Sequence, residues 1–107
     1  MSVGITVTGS NFEQEVLGSS IPVLIDFWAS WCGPYKILGP FIDQLAGEYE
    51  GRIKICKVNV DEENALAHQH GIVSIPALIL YKDGAIASQK IGAAPKREIE
   101  AMFKDIA

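Results

Sequence analysis

The run PVLIDFW, residues 22 to 28, is apolar at every position but Asp26. A run of that length without polar alternation is the mark of a strand covered on both faces. Such a strand demands a layer of structure on each side, and the rest of the chain supplies candidates. RIKICKVNVD, 52 to 61, reads as a second buried strand, and PALILYKDGAIASQKIG, 76 to 92, as two strands around a KDG turn, hence a hairpin. Between them, a helix is expected from Pro34 to about Tyr49. There Leu38, Phe41, Ile42 and Leu45 fall at i, i+3, i+4 and i+7, and Pro40 should kink it. ENALAHQH, 63 to 70, reads as a short helix stopped by Gly71.

The two ends complete the pattern. VGITVT, 3 to 8, alternates weakly and reads as an edge strand. SNFEQEVL, 10 to 17, reads as a helix with Ser10 and Glu13 spaced as a capping box and Phe12, Val16 and Leu17 on one face. The tail places Pro95 at a first helical position and Ile99, Met102, Phe103 and Ile106 on an apolar stripe. The order β-α-β-α-β-α-β-β-α implies parallel strands joined by right-handed crossovers, with antiparallel pairing added by the hairpin. This is an α/β chain with a mixed sheet. At 107 residues, without repeat or linker, it is read as a single domain spanning 1–107.

Charge and apolar runs narrow the function classes. A net charge of −4 with scattered lysines offers no clustered basic face, which argues against nucleic acid. The apolar run IPVLI at 21 to 25 is far short of a membrane span. The start MSVGITVTGS has neither the charged nor the apolar region of a secretory signal, so a cytoplasmic protein is the expectation. Two cysteines, Cys32 and Cys56, form no disulfide framework and match no zinc spacing. His68 and His70, two apart on a short helix, do not share a face and are read as solvated or cap-proximal, so no metal site is expected.

The chemistry concentrates in FWASWCGPYK, 27 to 36. Cys32 falls between the end of a buried strand and the start of a helix, and Pro34 suits a first helical turn. A cysteine there faces unpaired N–H groups and the positive end of the helix dipole. Both favour the nucleophilic thiolate and pull the thiol below its free value of about 8.5. Gly33 lets a second backbone approach the sulfur, and Trp31 offers a flat apolar surface. The opposing reading is an inert thiol buried at a strand end. Asp26 also has two readings: a carboxyl buried in an apolar strand, with a raised pKa unless partnered, or a carboxylate exposed at a sheet end.

The segment resembles the active site of the thioredoxin family, whose motif is Trp-Cys-Gly-Pro-Cys. DFWASWCGP, KVNVDEE, GIVSIPALILYKDG and IGAAPK occur in the order and spacing of that family and together cover nearly the whole chain. The resemblance implies a thioredoxin fold, a five-stranded mixed β-sheet flanked by four α-helices, and thiol–disulfide exchange on protein substrates without a cofactor. It implies Cys32 as the nucleophile, with Gly33 and Pro34 tuning its potential. Pro76 becomes a cis-proline beside the sulfur, and Trp31, Ile75, Gly92 and Ala93 complete a docking surface for an extended substrate. It also makes Asp26 and Lys57 a buried proton-transfer pair.

The chain departs from the motif at Tyr35, which stands where the resolving cysteine would be. Thioredoxin-type reduction needs a second thiol to attack the mixed disulfide, and a phenol cannot make or break an S–S bond. Cys56 is no substitute, because strand alternation turns it away from Lys57 and the site. Three readings are open for Tyr35: its hydroxyl donates to the Cys32 thiolate; its ring caps the sulfur or swings outward; or it has no chemical role. The expectation is a monothiol thioredoxin-like oxidoreductase, a monomer, that forms mixed disulfides with protein disulfides and relies on an external thiol such as glutathione, with thioredoxin reductase as a possible partner. The opposing functional readings are a redox-inactive peptide-binding module using the same groove, and a Cys32-ligated iron–sulfur cluster shared between two chains.

Overall fold

The computed structural model describes residues 4–107. Val3, the start of the expected first strand, lies outside the described residues. The elements in chain order are β1 (Ile5–Thr6), α1 (Glu13–Leu17), β2 (Val23–Trp28), α2 (Tyr35–Glu48), β3 (Lys54–Asn59), α3 (Asn64–Gln69), β4 (Ala77–Lys82), β5 (Ala85–Ile91) and α4 (Lys96–Ala101).

The five strands form one sheet in the order β1-β3-β2-β4-β5. β1 and β2 run parallel to β3, while β4 is antiparallel to both β2 and β5. This is the expected mixed sheet flanked by four helices. The central strand β2 is buried along its length up to Phe27, as its unbroken apolar run requires. Alternation then sends its side chains into two cores. Val23, Ile25 and Phe27 join Val16, Cys56, Leu66 and Ile79 on one face. Leu24 joins Leu38, Ile42, Leu45, Leu78, Ile99 and Phe103 on the other.

The KDG turn is built as expected. Asp83 and Gly84 both have positive φ, 54° and 80°, the conformation that a tight hairpin turn requires at its two central residues. Ile99 and Phe103 are fully buried, so the tail stripe docks α4 on the core. Pro40 sits inside α2, which continues through it.

Three local expectations need correction. Ser10 and Glu13 form no capping box. Thr8 starts the turn instead, its N–H donating to Asn11 Oδ1 at 2.7 Å while its carbonyl accepts from Phe12 N–H at 3.0 Å. With the turn opened two residues early, α1 is a single wide turn closed by Gly18 N–H to Glu13 C=O at 2.8 Å. Leu17 is exposed, unlike Phe12 and Val16. Finally, Pro95 is extended, at ψ 151°, and stands just before α4, not inside its first turn.

Candidate functional site

β2 ends at Trp28 and α2 begins at Tyr35, so the six residues between them are forced into a tight path. Cys32 N–H donates to Ala29 C=O at 3.1 Å, and Tyr35 N–H donates to Cys32 C=O at 3.2 Å. Pro34 already has helical angles, φ −57° and ψ −24°, and needs no N–H at that position. Cys32 thus stands at the mouth of the helix N-terminus as a free thiol. It is 4% exposed, while Trp31, Gly33 and Pro34 beside it are open, so an approaching chain meets those three first.

A groove of about 880 Å³ opens beside this turn, between Trp31 on one side and Ile75, Val73 and His68 on the other. Trp31 is held over it by its indole N–H, which donates to Asp61 Oδ2 at 2.8 Å, and Asp61 N–H in turn donates to Asn59 Oδ1. Of the expected docking residues, Trp31 and Ile75 line the groove. Pro76 is buried, follows a cis peptide bond, and accepts from Gly92 N–H at 2.8 Å. Gly92 and Ala93 lie beyond the end of β5, outside the groove lining.

Below the turn lies Asp26. It is wholly buried, which removes the sheet-end reading. Among the described residues no donor meets hydrogen-bond geometry at either carboxyl oxygen, although the Tyr35 hydroxyl approaches closely enough to favour the charged form. Burial dominates, and it pushes the Asp26 pKa up to about 7; Tyr35 and the Lys57 charge offset this in part, and Asp43 adds to it. Lys57 is the register partner of Asp26 across the β2–β3 ladder. Its ammonium goes elsewhere, to Asp43 Oδ1 at 2.8 Å.

Tyr35 faces inward. Its ring stacks on Trp28 with 5.4 Å between centroids and 20° between planes. Burial, then the Asp26 charge and contact, hold its hydroxyl well above the usual phenol range. The hydrogen bond linking it to Cys32 is the backbone one, and the outward swing is not the conformation found.

The other sequence candidates disperse. Cys56 is fully buried in the opposite core, where desolvation pushes its thiol up to about 12. His68 is exposed, whereas His70 is the cap-proximal one, standing at the C-terminal end of α3 and tied between Leu66 C=O and the Tyr81 hydroxyl, each at 2.8 Å. Among the described residues, no cluster of three or more potential ligands could hold a metal, and no helix is long and apolar enough to cross a membrane.

A family model described as Thioredoxin matches residues 3–105. The chain belongs to the thioredoxin family. It is 51% identical over 96 residues to Thioredoxin 1 of Nostoc sp. strain PCC 7120, covering 90% of each chain. It is 52% identical over 92 residues to a thioredoxin of Chlorobaculum thiosulfatiphilum, covering 86% of this chain and 85% of that one. A thioredoxin of Pseudomonas aeruginosa is 43% identical over 99 residues, 92% of each. The family is one of thiol–disulfide oxidoreductases.

Four residues of this region escaped the sequence reading: Trp28, Gly39, Asp43 and Asp61. Gly39 and Asp43 carried a signal, because 35, 39 and 43 repeat every fourth residue on one helix face. Asp61, thirty residues from Trp31, carried none.

Proposed function

We propose that this chain is a monothiol thioredoxin-like oxidoreductase acting on disulfides of proteins. The observation that carries the reading is the placement of Cys32, a free thiol in a Trp-Cys-Gly-Pro turn at the start of α2, with Tyr35 at the third position after it.

In the first step, the Cys32 thiolate attacks one sulfur of a substrate disulfide. A Cys32–substrate S–S bond forms, the substrate S–S bond breaks, and the second substrate sulfur leaves as a thiolate that takes a proton from water. A cysteine at position 35 would attack next, but the phenol there has no such chemistry. An external thiol such as glutathione, as its thiolate, attacks the mixed disulfide instead. Attack at the Cys32 sulfur releases the reduced substrate, and a second glutathione then expels Cys32 as thiolate and leaves as glutathione disulfide. Two electrons pass from two small thiols to one substrate disulfide.

The groove beside Trp31 and Ile75 seats the extended substrate, Pro76 and Gly92 border its backbone, and Ala93 stays open to it. Gly33 and Pro34 shape the approach to the sulfur. Asp26 remains the buried acid and Lys57 its half-buried neighbouring cation, though with no second thiol to deprotonate. We assign the protein to the cytoplasm as a monomeric single domain, with thioredoxin reductase and glutathione as candidate electron sources.

The test is adduct formation with a peptide disulfide carrying a chromogenic leaving thiol, for the parent and for Cys32→Ser. The reading expects stoichiometric release of one leaving thiol by the parent and none by Cys32→Ser. Equal peptide binding by both without release would mean that the groove binds peptides and performs no exchange.

A further inference from the structure

Tyr35 is built into its surroundings on several sides. Trp28 stacks on its ring. One helical turn on, Gly39 is buried inside α2, and a Cβ there would stand 3.1 Å from Tyr35 Cε2 and 3.4 Å from Cζ. The shorter distance is tighter than ordinary van der Waals contact, and the intruding atom would meet a planar ring already pinned by Trp28. Nothing else explains a glycine at this position. It has ordinary helical backbone, it is at no turn, and a helix interior disfavours glycine against alanine. The bare Cα of Gly39 makes the room that the Tyr35 ring fills.

The same ring brings its hydroxyl near the Asp26 carboxyl, short of a full hydrogen bond to either oxygen. Asp26 is wholly buried, and neither oxygen has a hydrogen-bond partner among the described residues. A buried polar group left unpartnered is costly, so a donor held close to it matters more than one in water. We propose that Gly39 and Tyr35 are a matched pair, in which the side chain missing at 39 seats the ring at 35 and the seated hydroxyl makes Tyr35 the positioning residue that sets the charge of Asp26. The position of the missing thiol would then be an electrostatic element in its own right.

The groups facing Asp26 are few. Across β3 stands Lys57, committed to Asp43 of α2; across β4 stands the apolar Leu78; and from α2 comes Tyr35. A hydroxyl that donates to a carboxylate favours the ionised form, so its removal leaves Asp26 holding its proton to higher pH. Tyr35 follows Cys32 by three residues on the same turn and donates its N–H to the Cys32 carbonyl at 3.2 Å.

The inference deepens the reading of position 35 given above, and its test does not use Cys32 reactivity. A protein whose Cys32 formed no adduct would sink that reading and leave this one standing. The experiment is a carboxyl-carbon NMR titration of the parent and Tyr35→Phe, with Asp26→Asn assigning the resonance. Tyr35→Phe keeps the ring and loses the donor, and the expected result is an Asp26 midpoint raised by half a pH unit or more. A smaller change or a fall would overturn the positioning role. Gly39→Ala is then compared in two backgrounds by urea unfolding. It should lower the midpoint in the parent and raise it in Tyr35→Cys, where the ring is gone. The same sign in both would overturn the matched pair, and a parent-background variant that failed to fold would count as the lowering.

Discussion

Asp26 and Lys57 are register partners on adjacent strands, yet the Lys57 ammonium is bonded to Asp43 at 2.8 Å and Asp26 is left without a salt bridge among the described residues. A buried carboxyl with a lysine for a neighbour would ordinarily be read as an ion pair. Here the charge of the lysine offsets part of what burial costs the Asp26 carboxylate and does not cancel it.

Stability should therefore fall as pH rises from about 4 to about 7. The folded protein holds the Asp26 proton up to about pH 7, whereas an unfolded chain releases it near about 3.9. Between those values the native state binds more protons than the unfolded one, so stability declines at about 1.4 kcal/mol per pH unit at most. Asp26→Asn, which cannot ionise, should be more stable than the parent at pH 8 by about 2–4 kcal/mol, with the difference vanishing near pH 4. Urea unfolding of both proteins at several pH values checks this. A parent that gained stability from pH 4 to 7 relative to the variant would reverse the sign.

Tyr35→Cys should complete within the chain the exchange that the parent leaves at the mixed disulfide. The substitution puts a thiol one helical turn from Cys32 on the same face, within reach of a mixed disulfide. Pre-reduced and with no added thiol, the variant should release both thiols of a protein disulfide and end with an internal disulfide between Cys32 and the introduced cysteine, whereas the parent should release one and hold the other as the mixed disulfide. Following substrate thiol release over time separates the two.

Cys56 should contribute to stability and nothing to exchange. It is fully buried among Val7, Ile25 and Val58 in the core away from the active turn. Cys56→Ala should lower stability by about 1–2 kcal/mol through the small cavity it leaves, with adduct yield unchanged. A loss of adduct in this variant would mean that the second thiol takes part.

The last helix should be held by Phe103. Its ring is fully buried and meets Tyr49 edge-on at 4.9 Å between centroids. Phe103→Ala should cost about 3–5 kcal/mol, read as a lower urea midpoint. Because α4 packs far along the chain from Cys32, the folded fraction should still form adduct at the parent rate.

What the sequence disclosed follows from where the physics is local. The apolar run of β2, the stripe of α2 and the Asp83-Gly84 turn each depend on residues close in sequence, and each was legible. Cys32 at the strand–helix junction was legible for the same reason. The failure at Ser10 came from competition between two local options, since the Asn11 side chain captured the Thr8 N–H and opened the turn early. The Lys57–Asp43 and Trp31–Asp61 bonds join residues that only the folded sheet brings together. Gly39 lies between these cases: its spacing from Tyr35 was visible, but the contact that explains it appears once the ring is seen to turn inward.

The central claim is that Cys32 reacts and that position 35 cannot finish the reaction. Intact mass after incubation with excess peptide disulfide, followed by a glutathione chase, addresses both halves in one sample. The account expects a single peptide adduct on Cys32 that persists for hours and disappears on addition of glutathione. No adduct between about pH 6 and pH 9, or an adduct that resolves without added thiol, would contradict it.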